Sequence, residues 1–318
     1  MTKSSAPDPS LDPTQRADVV TKGILKRQFD TLLANLDGVR ANQDPECLHD
    51  LRVATRRTRS ALTQIKGVFP DELVELYQSR FAWLQQVTNP LRDLDVHLLQ
   101  FDGYEQSLPA SLRPSLEPLR AYLLTLQEGE HGRLLAALDA DAFARLVEDW
   151  QAFLDAPVPE VSGTANGRRP VKELADARIW RLVKRVRREG RALRADSPPE
   201  DLHELRKSCK KLRYLMEFFQ TLYPDHDIRC LIDLLKTLLD HLGGFQDLVV
   251  QVGHLSELAQ RMRDEGRAET ATLLAMGALI GHLLERQQTL RDDFAEVFAD
   301  AFDQERRFLC RELFASGR

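Results

Sequence analysis

The sequence predicts an all-α fold made of two internally duplicated, antiparallel helical bundles related by pseudo-two-fold symmetry. Apolar residues recur at steps of three and four along much of the chain, which is the spacing of a core-facing helix surface. Strand signals are nearly absent, since aromatic residues make up only 7% of the sequence and no Asn-Gly or Asp-Gly turn separates two alternating segments. A repeat predicts the duplication: PECLHDLR at 45–52 returns 154 residues later as PEDLHELR at 199–206.

Each copy of the repeat predicts one amphipathic helix with its own start and stop signals. Asp44 and Ser197, each followed by a proline, are the expected N-caps. Pro70 and Pro224, at equivalent places, are expected to close the two helices. The predicted core-facing positions are Leu48, Leu51, Thr55, Thr58, Leu62 and Ile65 in the first helix and Leu202, Leu205, Cys209, Leu212, Met216 and Phe219 in the second.

The repeat continues beyond these helices at the same offset. LQQVTNPLRDLDV at 84–96 falls on LLDHLGGFQDLVV at 238–250, so the register runs without a gap from residue 45 to about residue 96. Between the halves, APVPEVSGTANGRRP is rich in proline, glycine and small residues, as is typical of a linker. We therefore expect about four to six helices in each half. The predicted divisions are a disordered lead-in at 1–14, an N-terminal bundle at 15–155, a linker at 156–169 and a C-terminal bundle at 170–318.

Composition limits the class of protein and its compartment. No stretch approaches the roughly 18 apolar residues of a membrane span, and the polar N-terminus lacks the apolar core of a signal peptide. The four cysteines form no C-x-x-C pair, which favours a reducing cytoplasm. The net charge of −5 argues against a polyanion partner, but cations are concentrated locally, and the local field decides. The segment 178–194 has eight arginines and lysines against the single acid Glu189.

A stripe of cations follows the apolar seam of each repeated helix. Only Asp50 and Glu204 offer acidic partners between the ends of the two stripes, so these cations are expected to be unpaired and to need an external anion. The alternative is that they are solvated flanks whose aliphatic stems cover the edge of the core. The stripes consist of His49, Arg52, Arg56 and Arg59 and of His203, Arg206, Lys210 and Arg213, widened by Arg57, Lys207 and Lys211.

The two histidines occupy the same place, about one turn into each helix. There, a histidine adds a donor where the helix dipole already favours anions, so anion contact or orientation of a neighbouring arginine is the expected role. Packing alone is the alternative. A metal site is not expected, because neither His49 nor His203 has a ligand-type neighbour at helical spacing.

These motifs resemble the CHAD domain, the conserved histidine α-helical domain. The resemblance lies in the histidine followed by RVATRRTR, in RDLDV about 40 residues later, and in the late helix GALIGHLLERQ at 277–287, and it covers nearly the whole chain from about residue 15. Two departures occur. Thr88-Asn89 stands where the family usually has Leu-Gly, and Gln246 stands where the arginine of Arg-Asp would be.

The resemblance implies a basic groove that binds inorganic polyphosphate, in some members on polyphosphate or polyester granules. Many members of the family are fused to a CYTH triphosphate-tunnel domain, but this sequence offers no E-x-E-x-K strand for one, so we expect a stand-alone CHAD protein. We expect no cofactor or metal. Polyphosphate suits such stripes because it presents repeated negative charge and no bases, and a linear polyanion could engage both copies. The expected binding residues are Lys22, Lys26, His49, Arg52, Arg56, Arg57, Arg59, Arg181, Lys184, Arg185, Arg188, His203, Arg206, Lys207, Lys210, Lys211 and Arg213, with Arg80, His131, Arg133, His282 and Arg286 as further groove candidates.

Three other functions stay open at this point. Nucleic-acid binding would use the same phosphate contacts, although the stripe helices have no interleaved aromatic residues for stacking. A granule scaffold with protein partners is a second. Phosphate-chain chemistry is the least expected, because Asp93 and Asp95 face apart on a helix and form no carboxylate cluster. We therefore expect a cytoplasmic polyphosphate-binding protein, on granules or free, that is not an enzyme.

Overall fold

The structure, a computed structural model, describes residues 10–194 and 197–315, and within them it is helical without a strand. The predicted all-α class is confirmed. The first half consists of α1 (Ala17–Ala34), α2 (Leu36–Ala41), α3 (Pro45–Gln64), α4 (Asp71–Val87), α5 (Asn89–Leu99), α6 (Phe101–Ser107), a 3-10 turn (Arg113–Leu116), α7 (Glu117–Leu138) and α8 (Asp141–Asp155). The second half consists of α9 (Val171–Ala192), α10 (Pro199–Phe218), a 3-10 turn (Gln220–Leu222), α11 (Asp225–Asp264), α12 (Thr270–Ala301) and α13 (Gln304–Ala315).

Three pairs of helices begin at the offset of the sequence repeat. α1 and α9, α3 and α10, and α4 and α11 each start 154 residues apart, and α3 and α10 also end 154 residues apart. The two halves differ at the next position. The first half breaks at Thr88 between α4 and α5, whereas α11 continues through the equivalent Leu242. The internal duplication is our interpretation of this offset.

The start signals of the repeated helices behave differently. Asp44 is the N-cap of α3, and its side chain accepts a hydrogen bond from the Glu46 N–H at 2.9 Å. The prediction of Ser197 as a cap is wrong, because α10 begins later, after Pro198, and the Ser197 hydroxyl accepts from the Arg194 N–H instead. Both helices end before the prolines expected to close them, and Pro70 instead precedes α4 directly, as Pro224 precedes α11.

The apolar interior forms two clusters, and both halves of the chain contribute to each. The larger cluster includes the fully buried Phe29 and Trp150 from the first half and Phe219 and Phe245 from the second. The smaller cluster joins α6 and α7 to α11 and α12. The two predicted bundles therefore share their cores, which fixes α3 against α10.

The ends of the predicted divisions have their own contacts. Of the lead-in, residues 1–9 lie outside the described residues, and Leu11 already packs on the core, with its N–H donating to Thr221 Oγ1. The linker connects α8 and α9 and is held at several points. One of them, Asn166, donates to the Lys66 carbonyl at 2.9 Å beneath Gly67, whose φ of 70° is left-handed. A side chain at Gly67 would be strained and would collide with Asn166, so glycine sets the turn after α3.

No helix within the described ranges is both long and apolar enough to cross a bilayer.

Candidate functional site

A cavity lies between α3 and α4 of the first half and α9 and α10 of the second. Its volume is about 800 Å³, and we call it the groove. Seven cationic side chains line it against two carboxylates, those of Asp71 and Glu75 on α4. The cations of both halves therefore face one space. The cationic lining consists of Arg56, Arg59, Lys66, Arg185, Lys207, Lys210 and Lys211.

The two arginines that α3 contributes to the groove differ in their hydrogen bonds to the protein. Arg56 Nε donates to the hydroxyl of the buried Tyr214 at 2.9 Å, which fixes its guanidinium at the wall. The side chain of Arg59, one turn further, makes no hydrogen bond or ion pair with the described residues. Its five N–H donors are thus available to an anion.

The lysines from α10 show the cost of concentrating positive charge. Burial, with help from Arg206 and Arg56, lowers the pKa of Lys210 to about 7. Burial and the nearby Arg185 and Lys207 also lower the pKa of Lys211. Neither lysine has an ion-pair partner among the described residues. An anion in the groove would favour the charged forms of both.

The arginines near the start of each stripe, Arg52 and Arg206, contact other residues of the protein and do not line the groove. Arg52 donates to the Gln85 carbonyl at 3.1 Å, to Thr88 Oγ1 at 2.8 Å and to Asn89 Oδ1 at 2.6 Å, which ties α3 to the α4–α5 break. Burial lowers its pKa to about 10, so it stays cationic. At the equivalent position, Arg206 lies 3.5 Å from Asp247.

The two histidines contact residues at equivalent positions, but His49 accepts a hydrogen bond and His203 donates one. Arg92 donates to His49 Nδ1 at 3.0 Å, so this nitrogen accepts and the ring proton is on Nε2. His203 Nδ1 lies 3.0 Å from Gln246 Oε1, an acceptor, and so donates. Burial and then Arg92 lower the pKa of His49. His49 thus contacts α5 and His203 contacts α11, and neither histidine lines the groove.

The prediction that the stripes lack acidic partners is wrong for several of their arginines. Glu217 binds Arg57, whose Nη1 donates to it, and lies 3.3 Å from Arg213 Nε. Asp247 is the neighbour of Arg206. Glu217 lies one turn beyond Arg213, outside the interval between the ends of the stripe, and Asp247 comes from a different helix.

Other predicted residues lie away from the groove lining. Lys22 and Lys26 on α1 reach the end of α8, where Lys22 Nζ donates to the Ala156 carbonyl and Lys26 pairs with Asp155 at 2.7 Å. Of the predicted residues on α9, Arg185 lines the groove, whereas Arg181, Lys184 and Arg188 are exposed and lie outside the lining. Arg80 pairs with Asp149, His131 lies 3.1 Å from the Val39 carbonyl, and Arg133 pairs with Glu130.

His282 and Arg286 line a different cavity, of about 420 Å³, between α6, α11 and α12. Sequence reasoning also missed groove residues. Lys66 follows the end of α3, and Thr63 and Gln64 belong to its last turn. Lys66 lies two residues past the end of α3, directly before the left-handed Gly67, so the helical spacing of the stripe does not predict its place in the lining.

The carboxylates considered for catalysis do not meet in a metal site. Asp95 is buried and accepts from Gln127 Nε2 at 2.6 Å. Burial raises the pKa of Asp93, against the influence of His254, Arg52 and Arg92. Among the residues that the structure describes, no three His, Cys, Asp or Glu side chains are grouped as metal ligands.

Comparison with known proteins places this architecture. The model of the CHAD domain matches residues 23–256. An uncharacterized protein of Mycobacterium tuberculosis, found in two strains, is 28% identical over 265 residues, which are 80% of this chain and 47% of that protein. The chain thus spans about half the length of these curated relatives.

Two solved structures have the same fold. The CHAD domain from the plant Ricinus communis matches with a TM-score of 0.75 and 26% identity, covering 91% of this chain and 94% of that one. PptA from Streptomyces chartreusis matches with a TM-score of 0.68 and 16% identity, covering 89% and 99%, which is a likeness of fold alone.

Proposed function

Because this chain belongs to the CHAD domain family, which is associated with polyphosphate-related proteins, we propose that it binds inorganic polyphosphate in the groove between α3 and α10. One observation supports the proposal most strongly. Arg59, Lys210 and Lys211 face the same cavity without an internal anionic partner among the described residues. Unpaired like charges that are partly desolvated are unfavourable until an anion joins them.

The chemistry of the lining favours a phosphate chain over a nucleic acid. Polyphosphate offers a charge on every unit and nothing to stack, whereas single-stranded nucleic acid gains about 1–3 kcal/mol per base from aromatic stacking. Tyr214 is the aromatic residue that lines the groove, and its side chain is only 2% exposed, with its ring covered by Arg57 and Arg213. Cations from both halves would contact successive phosphates.

Binding to long-chain polyphosphate at several salt concentrations tests the proposal. Each phosphate contact is expected to add about 0.7–0.9 to the slope of log affinity against log salt, as for nucleic acids. Polyphosphate should also displace bound RNA or DNA at fixed ionic strength. Preference for nucleic acid in that competition would overturn the choice of ligand, and a flat salt response would overturn the groove as the site.

We further propose that the protein holds the chain without cleaving it and that this binding places it on polyphosphate granules. Cleavage would need a metal-binding carboxylate cluster or an activated nucleophile. Phosphate release from polyphosphate or a nucleoside triphosphate, with and without divalent metal, is the assay. Turnover that survives repurification and is lost on changing Asp93 or Asp247 would contradict the first part, and diffuse protein in cells rich in granules the second.

A further inference from the structure

Elsewhere on the α3–α10 pair, two arginines share an internal carboxylate. Glu217, next to the last residue of α10, is only 17% exposed and joins Arg57 of α3 to Arg213 of α10. Tyr214 and Phe218 pack beneath this pair, with the Arg57 guanidinium 5.0 Å from the Phe218 ring centre. Two cations from two helices therefore share one carboxylate on an aromatic floor.

The groove has the equivalent pair of cations but no carboxylate at the position equivalent to Glu217. At the repeat offset, Arg59 corresponds to Arg213 and Lys211 to Arg57, and both line the groove. The position of Glu217 is taken by Thr63, next to the last residue of α3. Arg59 and Lys211 thus lack the carboxylate that joins their counterparts Arg213 and Arg57.

The residues that pack beneath the two cations also differ between the groove and the Glu217 site. Ser60 and Gln64 replace Tyr214 and Phe218 at the repeat offset, and both line the groove. Two large aromatic rings are thereby exchanged for a hydroxymethyl group and an amide side chain. The smaller side chains leave space beside Arg59 and Lys211 where the two rings fill it beside Arg213 and Arg57.

We infer that Arg59 and Lys211, together with Thr63, form a phosphate subsite of the groove, and that Glu217 occupies and closes the site that corresponds to it at the repeat offset. Carboxylate and phosphate are both bound by the planar guanidinium fork, so the internal carboxylate marks where an external phosphate belongs. This inference rests on the proposed function. It adds that of two equivalent places only one is open to ligand, and that the residue at position 63 decides this.

Placing an anion in the groove tests the inference by loss. Thr63→Glu puts a carboxylate one turn beyond Arg59, in the same relation as that of Glu217 to Arg213. We expect it to weaken tripolyphosphate binding at least tenfold and to lower the salt slope by about 1.4–1.8, the share of two contacts. Thr63→Gln, similar in size and neutral, is the matched control and should stay within threefold of wild type. Equal affinities for the two variants would overturn the inference.

Removing the internal anion tests it by gain. Glu217→Ala leaves Arg57 and Arg213 without their carboxylate, so the variant should be less stable and should regain thermal stability in tripolyphosphate by more than the wild type does. Calorimetry should show a second bound tripolyphosphate. If the variant folds by circular dichroism but shows neither the second site nor the extra stabilisation, Glu217 is not a stand-in for phosphate. A wild-type protein that binds no tripolyphosphate or longer chain would instead remove the proposed function itself.

Discussion

The N-terminal ends of the two cationic stripes differ from the C-terminal end of the first in what their side chains contact. At the N-terminal end, Arg52 satisfies three acceptors at the α4–α5 break, and Arg206 lies beside Asp247 of α11. At the C-terminal end of the first stripe, Arg59 meets no acceptor among the described residues, and Lys210 and Lys211 from the second stripe face it across the groove. Cations that form one stripe in the sequence therefore fall into two groups in the structure, those with partners in the protein and those that face the groove.

This difference teaches that a row of like charges does not share one role. The first turns of α3 and α10 are held by the helices that follow them, so their cations stabilise the fold. The later turns lie where the two halves meet, and there Arg59, Lys210 and Lys211 face the groove. Arg57 and Arg213 pair with Glu217 instead. Glu217 and Glu189 reduce the positive charge at the edges of that region, where they pair with Arg57 and Arg185.

Reversing charge in the groove should give the largest effect. Arg59→Glu with Lys211→Glu replaces two phosphate contacts by two repulsions, so affinity for long-chain polyphosphate should fall at least a hundredfold at low salt. Arg133→Glu with Arg229→Glu is the matched control, because these side chains are 76% and 69% exposed and lie outside the groove lining. A similar loss in both double variants would mean that total charge, not the groove, sets affinity.

Removing a cation from the other end of the stripe should affect folding more than binding. Arg52→Ala leaves the acceptors on Gln85, Thr88 and Asn89 without their donor. The expected loss in the free energy of unfolding is about 2–3 kcal/mol, with the salt slope of polyphosphate binding unchanged. Urea denaturation measures the first and a salt titration the second. A lower slope at unchanged stability would place Arg52 among the ligand contacts.

The sequence was sufficient for the helices and for the cations but not for their partners. Periodicity and the Asp44 cap predicted α3, because both depend on residues within a few turns. The acceptors of Arg52 come from a break between α4 and α5, and that break is where Thr88-Asn89 departs from the Leu-Gly of the second half. Contacts between helices distant in sequence have no periodic signal.

The groove was predictable in part for the same reason. Arg56, Arg59 and Lys210 follow from the stripe, since helical spacing alone places them on one face. Thr63 and Gln64 carry no charge, so the stripe does not predict them. They matter because the equivalent residues of the second half are the anionic Glu217 and the aromatic Phe218. That signal exists in the repeat itself, and an alignment of the two halves to the ends of α3 and α10 reveals it.

Lys210 should make binding depend on pH. Its pKa of about 7 lies below the usual lysine value of 10.5, so between these values the unfolded chain binds more protons and the stability contribution of this residue rises with pH. Bound phosphate favours the ammonium form, so affinity should fall by up to tenfold per pH unit as pH rises from about 7 to 9. Lys210→Met should bind more weakly at pH 6.5 and lose this dependence. An unchanged pH profile in the variant would show that Lys210 does not contact ligand.

His49 should give the smallest effect. Its lowered pKa keeps it neutral at pH 7, with Nδ1 accepting from Arg92. His49→Asn offers Arg92 an amide oxygen, so polyphosphate affinity should stay within twofold, while His49→Ala should cost about 1 kcal/mol of stability. Imidazole nitrogen NMR should show no protonation of His49 when ligand binds at pH 7. Protonation on binding would assign the histidine to the phosphate site.

The most direct test of the account is a crystal structure with tripolyphosphate bound at low ionic strength. We predict phosphate oxygens within hydrogen-bond distance of Arg59 and Lys211, with Lys210 beside the chain and the Glu217 carboxylate still between Arg57 and Arg213. An empty groove, with phosphate on the outer face of α9 at Arg181 and Arg188 or in the cavity of His282 and Arg286, would contradict it.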